Sequence, residues 1–210
     1  KFVNLDNSLE ASINESLPIV QLSAIENDIK VFGVLCDKED LNNNRSFASG
    51  NFVSVMDKTN QNEQRMFVNS LGEGAIWVSN KNGPIENGDF ITSSNIKGYG
   101  VKQLRNGNTD NFLTNYTVAK ITCDCNFSLT KVPKTIVKTI NNEIQYDTNG
   151  VIVFINDLDS SGNQQLIYPL QTRFIDSLGN QLQDETDYNN RLNNGEMVYI
   201  ACFVGCTYHC

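Results

Sequence analysis

The chain has 210 residues, of which 16 are Lys or Arg and 24 are Asp or Glu, giving a net charge of −8 and a pI near 4.6. At ~100–200 residues per domain this is one large domain, or one domain with a small appendage, long enough to bury ~70% of the unfolded surface; a scaffold held by disulfides alone is excluded. An acidic chain offers no field to neutralise phosphates or anionic headgroups, and the longest apolar run, residues 197–206, falls far short of the ~20 residues of a spanning helix, so nucleic acid and membrane insertion are excluded as partners.

The chain begins at Lys1 rather than Met, which points to a processed product, an excised piece or the ordered part of something longer, and no basic start followed by an apolar core marks a signal peptide. Asparagine is over-used, at 30 residues, which favours turns over long helices because its side chain bonds nearby backbone and tolerates left-handed conformations. Short runs rich in β-branched and aromatic residues recur between Gly, Asn, Asp and Pro. In chain order the pattern predicts strands over residues 19–22, 30–35, 52–56, 65–69, 75–79, 89–92, 100–103, 117–122, 135–140, 151–155, 164–168, 173–176 and 197–204. Turn signals such as Asn87-Gly88, Asn149-Gly150, Ser161-Gly162 and Gly179-Asn180 separate them, so most connections should be hairpins. One helix is expected over 184–193, where an Asp cap precedes an acidic first turn, Tyr188 and Leu192 lie four apart and Gly195 follows as a stop. The fold class is therefore mainly β, hairpin-rich, with one short peripheral helix near the C-terminus. A composition shift around Lys131-Val132-Pro133 places a soft boundary near residue 130: a β domain over 1–130, and a hairpin-rich lobe over 131–210 packed on it.

Few residues offer chemistry. The single histidine, His209, excludes a Ser-His-Asp triad and a multi-histidine metal site within the chain. No phosphate loop is present, and Gly98-Tyr99-Gly100 lacks the third glycine of a dinucleotide fingerprint. Asp157-Leu158-Asp159-Ser160-Ser161-Gly162 looks like the opening of a calcium loop, but Tyr168 stands where the bidentate Glu belongs, so a hairpin tip is the favoured reading. Of the six cysteines, Cys36 ends an apolar strand and should pack as a small hydrophobe. The others form two clusters, Cys123-Asp124-Cys125 and Cys202-x3-Cys206-x2-His209-Cys210, which are expected to meet in space and tie the last strand to the 117–125 strand. Zinc held by Cys123, Cys125, Cys206 and Cys210, with His209 as a substitute ligand, is one reading. Disulfides or plain buried thiols are favoured over it, because C-x-C and C-x3-C are poor zinc spacings. No cofactor other than that zinc is expected.

Two stretches carry a resemblance. Lys1-Phe2-Val3-Asn4-Leu5-Asp6, followed by Asn27-Asp28-x-Lys30-Val31-Phe32-Gly33-Val34-Leu35, resembles the FVTLD … ND … ILGVVS segment of the autoproteolytic intramolecular-chaperone domains (peptidase family G-two) at the C-termini of phage appendage and tail-fibre proteins. Gly72-Glu73-Gly74-Ala75-Ile76-Trp77-Val78, Gly83-Pro84-Ile85, Gly88-Asp89-Phe90-Ile91-Thr92-Ser93-Ser94, Gly98-Tyr99-Gly100-x-Lys102 and Val118-Ala119-Lys120 are similar to a run shared by that family. The tail over 198–210 looks like that of homologues in giant viruses of algae and protists. The resemblance covers roughly residues 1–122.

The resemblance implies a β-rich, homotrimeric terminal domain of a virion surface or fibre protein, made in the infected host cell and carried on the virion. Its partners would be itself, the parent fibre and, on one alternative, a host-surface receptor or glycan. In some family members the domain cuts itself off after guiding assembly. The family's acidic, aromatic segment of the type EYFEW-DGN … EDR-G lies upstream of the FVTLD strand and has no counterpart here, so no catalytic residue carries over. Self-cleavage would require upstream residues.

Overall fold

Val198, Ile200, Cys202, Val204, Cys206 and Tyr208 are all buried while their odd-numbered neighbours are mostly less so, the period-two signature of a strand with one face on a core. A computed structural model, which describes residues 20–38, 47–49, 52–54, 66–104 and 112–209, shows how the rest of the chain is arranged around that strand. The strands in chain order are β1 (Val34–Lys38), β2 (Phe47–Ser49), β3 (Phe52–Ser54), β4 (Met66–Asn69), β5 (Leu71–Ser79), β6 (Phe90–Ser93), β7 (Gly100–Lys102) and β8 (Thr117–Ile121). They continue with β9 (Val132–Pro133), β10 (Thr135–Val137), β11 (Thr139–Ile140), β12 (Glu143–Ile144), β13 (Phe154–Asn156), β14 (Leu166–Ile167), β15 (Thr172–Asp176) and β16 (Val198–His209). One α-helix, α1 (Glu185–Asn193), lies near the C-terminus, so the protein is mainly β with a single α-helix among the described residues, as the composition predicts.

One sheet runs β15-β16-β5-β7-β6-β8, and β8 returns to pair with β16. Five strands therefore close on themselves, leaving β15 as an extension. Closure works because β16 is long. Val198 to Cys202 pair with β15, Ala201 to His209 pair with β5, and Cys206 to Tyr208 pair with β8 on the edge that β15 has vacated. The core includes Ile76, Val78, Ile91, Val118, Ile121 and Val204. Tyr208 shows how close the backbones come: its O–H donates to the Ala75 carbonyl at 2.8 Å and accepts from the Ala75 N–H at 3.0 Å. A side chain in place of Gly74 would collide with that phenol.

Asp184 caps α1 by accepting from the N–H groups of Thr186 and Asp187, and Gly195 follows with φ 78°. The helix buries Tyr188, whose ring packs 5.1 Å from that of Phe174 on β15.

Four expectations need correction. Residues 20–22 are not a strand; Ser23 offers its carbonyl to the Gly98 N–H at 3.0 Å, so this part of the chain docks on a turn instead of joining a ladder. The strand expected over 30–35 starts later, at Val34, and pairs with β4 through a bulge between Leu35 and Asp37. That bulge turns Cys36 outward: it is exposed, with its thiol donating to the Phe67 carbonyl at 3.3 Å, and is not a packed hydrophobe. The strand expected over 135–140 is two strands, because Lys138 changes partners, its N–H going to Val153 and its carbonyl to Gln145. The segments over 1–6 that contribute to the resemblance lie outside the described residues, as do residues 19, 55, 56 and 65 of the expected strands.

Candidate functional site

Between residues 131 and 167 the chain leaves the barrel and returns to it as a ribbon of short ladders. β9 pairs with β14 at the root, β10 with β13 above it and β11 with β12 at one tip. Each tip is dictated locally. Asn141 and Asn142 both adopt left-handed φ, 52° and 66°, the conformation of a two-residue type I′ hairpin that Asn tolerates well. The other two tips share a device: Asp147 accepts from the N–H groups of Asn149 and Val151, and Asp159 from those of Ser161 and Asn163. Gly150 and Gly162 take positive φ in the last turn position. These hydrogen bonds from the backbone hold both carboxyls below the usual Asp range. Asp159 is thus part of a hairpin tip, in line with the favoured reading over a calcium loop.

The same geometry recurs at Asp176, which accepts from Leu178 and Asn180 ahead of Gly179. In each copy the residue before the Asp bridges the fifth residue after it: Tyr146 to Ile152, Leu158 to Gln164 and Ile175 to Gln181. The chain therefore carries an Asp-x-x-Gly hairpin repeat at 147, 159 and 176. The glycines alone suggest turns; the Asp three residues earlier is the signal that reveals the repeat.

No residue from 131 to 167 is buried, yet the ribbon is apolar on both sides. Directly opposed residues share a face, and faces alternate along a strand. Val132 faces Ile167 and Ile136 faces Ile155 on one side; Leu166 beside Pro133, and Phe154 beside Val137, occupy the other. Six of these, Val132, Ile136, Phe154, Ile155, Leu166 and Ile167, are more than a third exposed. The charges are mixed, three lysines against four carboxylates, with Lys134 paired to Asp157 at 2.5 Å, so the ribbon presents no strong field of one sign.

The root is fixed to the start of α1 by a polar cluster. The Lys131 ammonium lies 3.1 Å from the Glu185 carboxylate and 5.0 Å from the centre of the Tyr168 ring, and the Tyr168 O–H donates to Glu185 at 2.6 Å. These contacts hold Glu185 below the usual carboxylate range, Tyr168 contributing most and Lys131 next, and Glu185 in turn raises Lys131.

The cysteine clusters meet at the same root. Cys125, held by paired backbone hydrogen bonds with Ile85 at 2.9 and 2.8 Å, lies just beyond β8, and the β8–β16 register, continued from Ile121 opposite Cys206 and Thr122 beside Gly205, brings it level with Cys202 in the same buried cluster. Cys202 also approaches the Thr172 hydroxyl at 3.7 Å. Cys206 lies four residues further along the inward face of β16, ~13 Å away at strand spacing, and Cys123 is partly buried against the core. His209 is on the opposite face of β16, its Nε2 3.0 Å from the Thr207 hydroxyl and its ring edge-on to Phe90. Cys210 lies outside the described residues. Among the described residues no cluster of three or more His, Cys, Asp or Glu side chains forms a metal cage. The residues Gly72–Val78, Gly88–Ser94, Gly98–Lys102 and Val118–Lys120 that carry the family resemblance fall on or beside β5, β6, β7 and β8.

Comparison with known families, characterised proteins and solved structures finds no match to the chain.

Proposed function

We propose that the protein is a structural assembly module, a homotrimerising C-terminal domain of a virion surface or fibre protein of the intramolecular-chaperone type. The observation that carries this reading is the ribbon with two apolar faces and no buried residue. A two-stranded ribbon is marginal in water, and exposed apolar faces mark interaction surfaces. A two-fold dimer supplies each protomer with one self-complementary contact. A cyclic assembly of three gives each ribbon a different neighbour on either side, which is the smallest ring that covers both faces. The mixed, balanced charge of the ribbon suits contact with copies of itself better than with a strongly charged partner. Three chains brought into register in this way replace a three-body encounter by a local one for whatever precedes the domain. The viral assignment rests on the motifs quoted from the barrel strands.

The test is to replace residues 132–167 by a short Gly-Asn loop. Nothing in that segment is buried, so the barrel should remain folded while the assembly falls to monomer. An assembly that survives the replacement would overturn the reading.

A further inference from the structure

Cys125 and Cys202 sit where three segments converge. Cys202 lies in register with Thr172 at the start of β15 and with Val78 on β5, so its backbone is fixed on both sides. Cys125 is fixed by its bridge to Ile85, and the chain from it leads directly to the ribbon. Both thiols are buried, 3% and 4% exposed. The stretch between them contains the whole ribbon, β15 and α1. The Cys202 sulfur lies 3.7 Å from the Thr172 hydroxyl, which in turn donates to the Leu170 carbonyl at 2.9 Å.

We propose that Cys125 and Cys202 are a redox-active dithiol that closes into a disulfide with a peroxide-class oxidant, locking the root of the ribbon to the terminal strand. Cys202 is the attacking sulfur. The Thr172 hydroxyl, 3.7 Å from its sulfur, can rotate to donate to the Cys202 thiolate and stabilise it, a partner that Cys125 does not share. The Cys202 thiolate attacks one peroxide oxygen, the O–O bond breaks, and with one proton taken up water leaves and Cys202 becomes a sulfenic acid. The Cys125 sulfur then attacks the Cys202 sulfur, and its proton leaves with the hydroxyl as a second water. Two thiols and one hydrogen peroxide give one disulfide and two waters. The sulfurs must close to ~2.05 Å, a movement for side-chain torsions to supply. The pairing does not depend on the oligomeric state.

The experiment is oxidation of the full chain with hydrogen peroxide, followed by denaturation, alkylation and peptide mapping. The wild-type protein should lose about 2 Da, protect two of its six cysteines from alkylation, and yield a peptide linking Cys125 to Cys202. Its thermal midpoint should rise on oxidation and return with reductant. Cys123→Ser should retain the link. Cys125→Ser should lose it and leave a sulfenic acid on Cys202 that dimedone traps. Recovery of Cys125 and Cys202 as alkylated thiols from oxidised wild-type protein, or a link from either to Cys123 or Cys206, would overturn the pairing; dimedone on Cys125 in a Cys202→Ser variant would overturn the assignment of the attacking sulfur. The wild-type map decides the pairing even if a variant fails to fold.

Discussion

Phe154 is 58% exposed on the ribbon, and its truncation measures how much the assembly depends on that surface. An aromatic side chain carries ~150–250 Å², so neighbours covering the exposed part remove about 100 Å² from water, worth ~2.5 kcal/mol per protomer at ~25 cal/mol per Å². Phe154→Ala forfeits about 2 kcal/mol of this per protomer, or about 6 kcal/mol in a trimer that contains three copies. At ~1.4 kcal/mol per decade that is about four decades in the association constant. Because the protomer concentration at half-assembly varies as the inverse square root of that constant, the midpoint should move about 100-fold to higher concentration. Sedimentation equilibrium across a tenfold dilution series reads this directly, with Leu178→Ala, exposed on the Asp176 turn away from the ribbon, as the control. Phe154 touches no buried core, so far-ultraviolet circular dichroism of the dilute variant should match that of dilute wild-type protein. A midpoint within about three-fold of wild type, or a shift equalled by Leu178→Ala, would refute the reasoning.

Tyr208→Phe removes the hydroxyl that satisfies both the N–H and carbonyl of Ala75 inside the barrel and should cost about 1–3 kcal/mol in urea unfolding; an unchanged midpoint would mean those groups find other partners. Glu185 has its pKa held down in the folded state by Tyr168 and Lys131, so its contribution is complete above the ordinary Glu pKa of about 4.3 and fades as the pH falls through the lower folded value. Unfolding curves should therefore show wild-type protein losing more stability than Glu185→Gln on acidification below that pH, and parallel losses would contradict it. At the tip of the β11–β12 hairpin, Asn142→Gly should leave amide exchange of residues 139–144 unchanged, whereas Asn142→Val, forced to φ 66°, should accelerate it, with a strain of about 1–2 kcal/mol.

The elements most legible in the sequence are those decided by neighbours in the chain. Asp184, the acidic first turn and Gly195 bracket α1 within a residue of its bounds, and Asn149-Gly150 and Ser161-Gly162 mark two of the hairpin tips. β16 extends five residues beyond its expected end at 204 because Gly205, Thr207 and His209 make the outward positions small or polar, while Cys206 and Tyr208 continue the inward row. The bulge that exposes Cys36 and the partner change at Lys138 are decided by strands elsewhere, and no local pattern announces them. The ribbon is the sharper case. Its residues read as ordinary strands with ordinary apolar content, and only the pairing register shows that both faces are apolar and that neither is covered within the described residues. The meeting of Cys125 with Cys202 was readable in outline, from two cysteine clusters on two apolar runs; the identity of the contacting pair depended on which β16 positions face inward.

The most direct test of the account is the solution mass of the intact chain by light scattering at micromolar concentration. Both faces of the ribbon are covered only if each protomer has two neighbours, so the protein should elute as a species of about 70 kDa, three times the 23.5 kDa chain. A mass of one chain would leave the ribbon uncovered and contradict the assembly reading, and a mass of two would contradict the argument from its two faces.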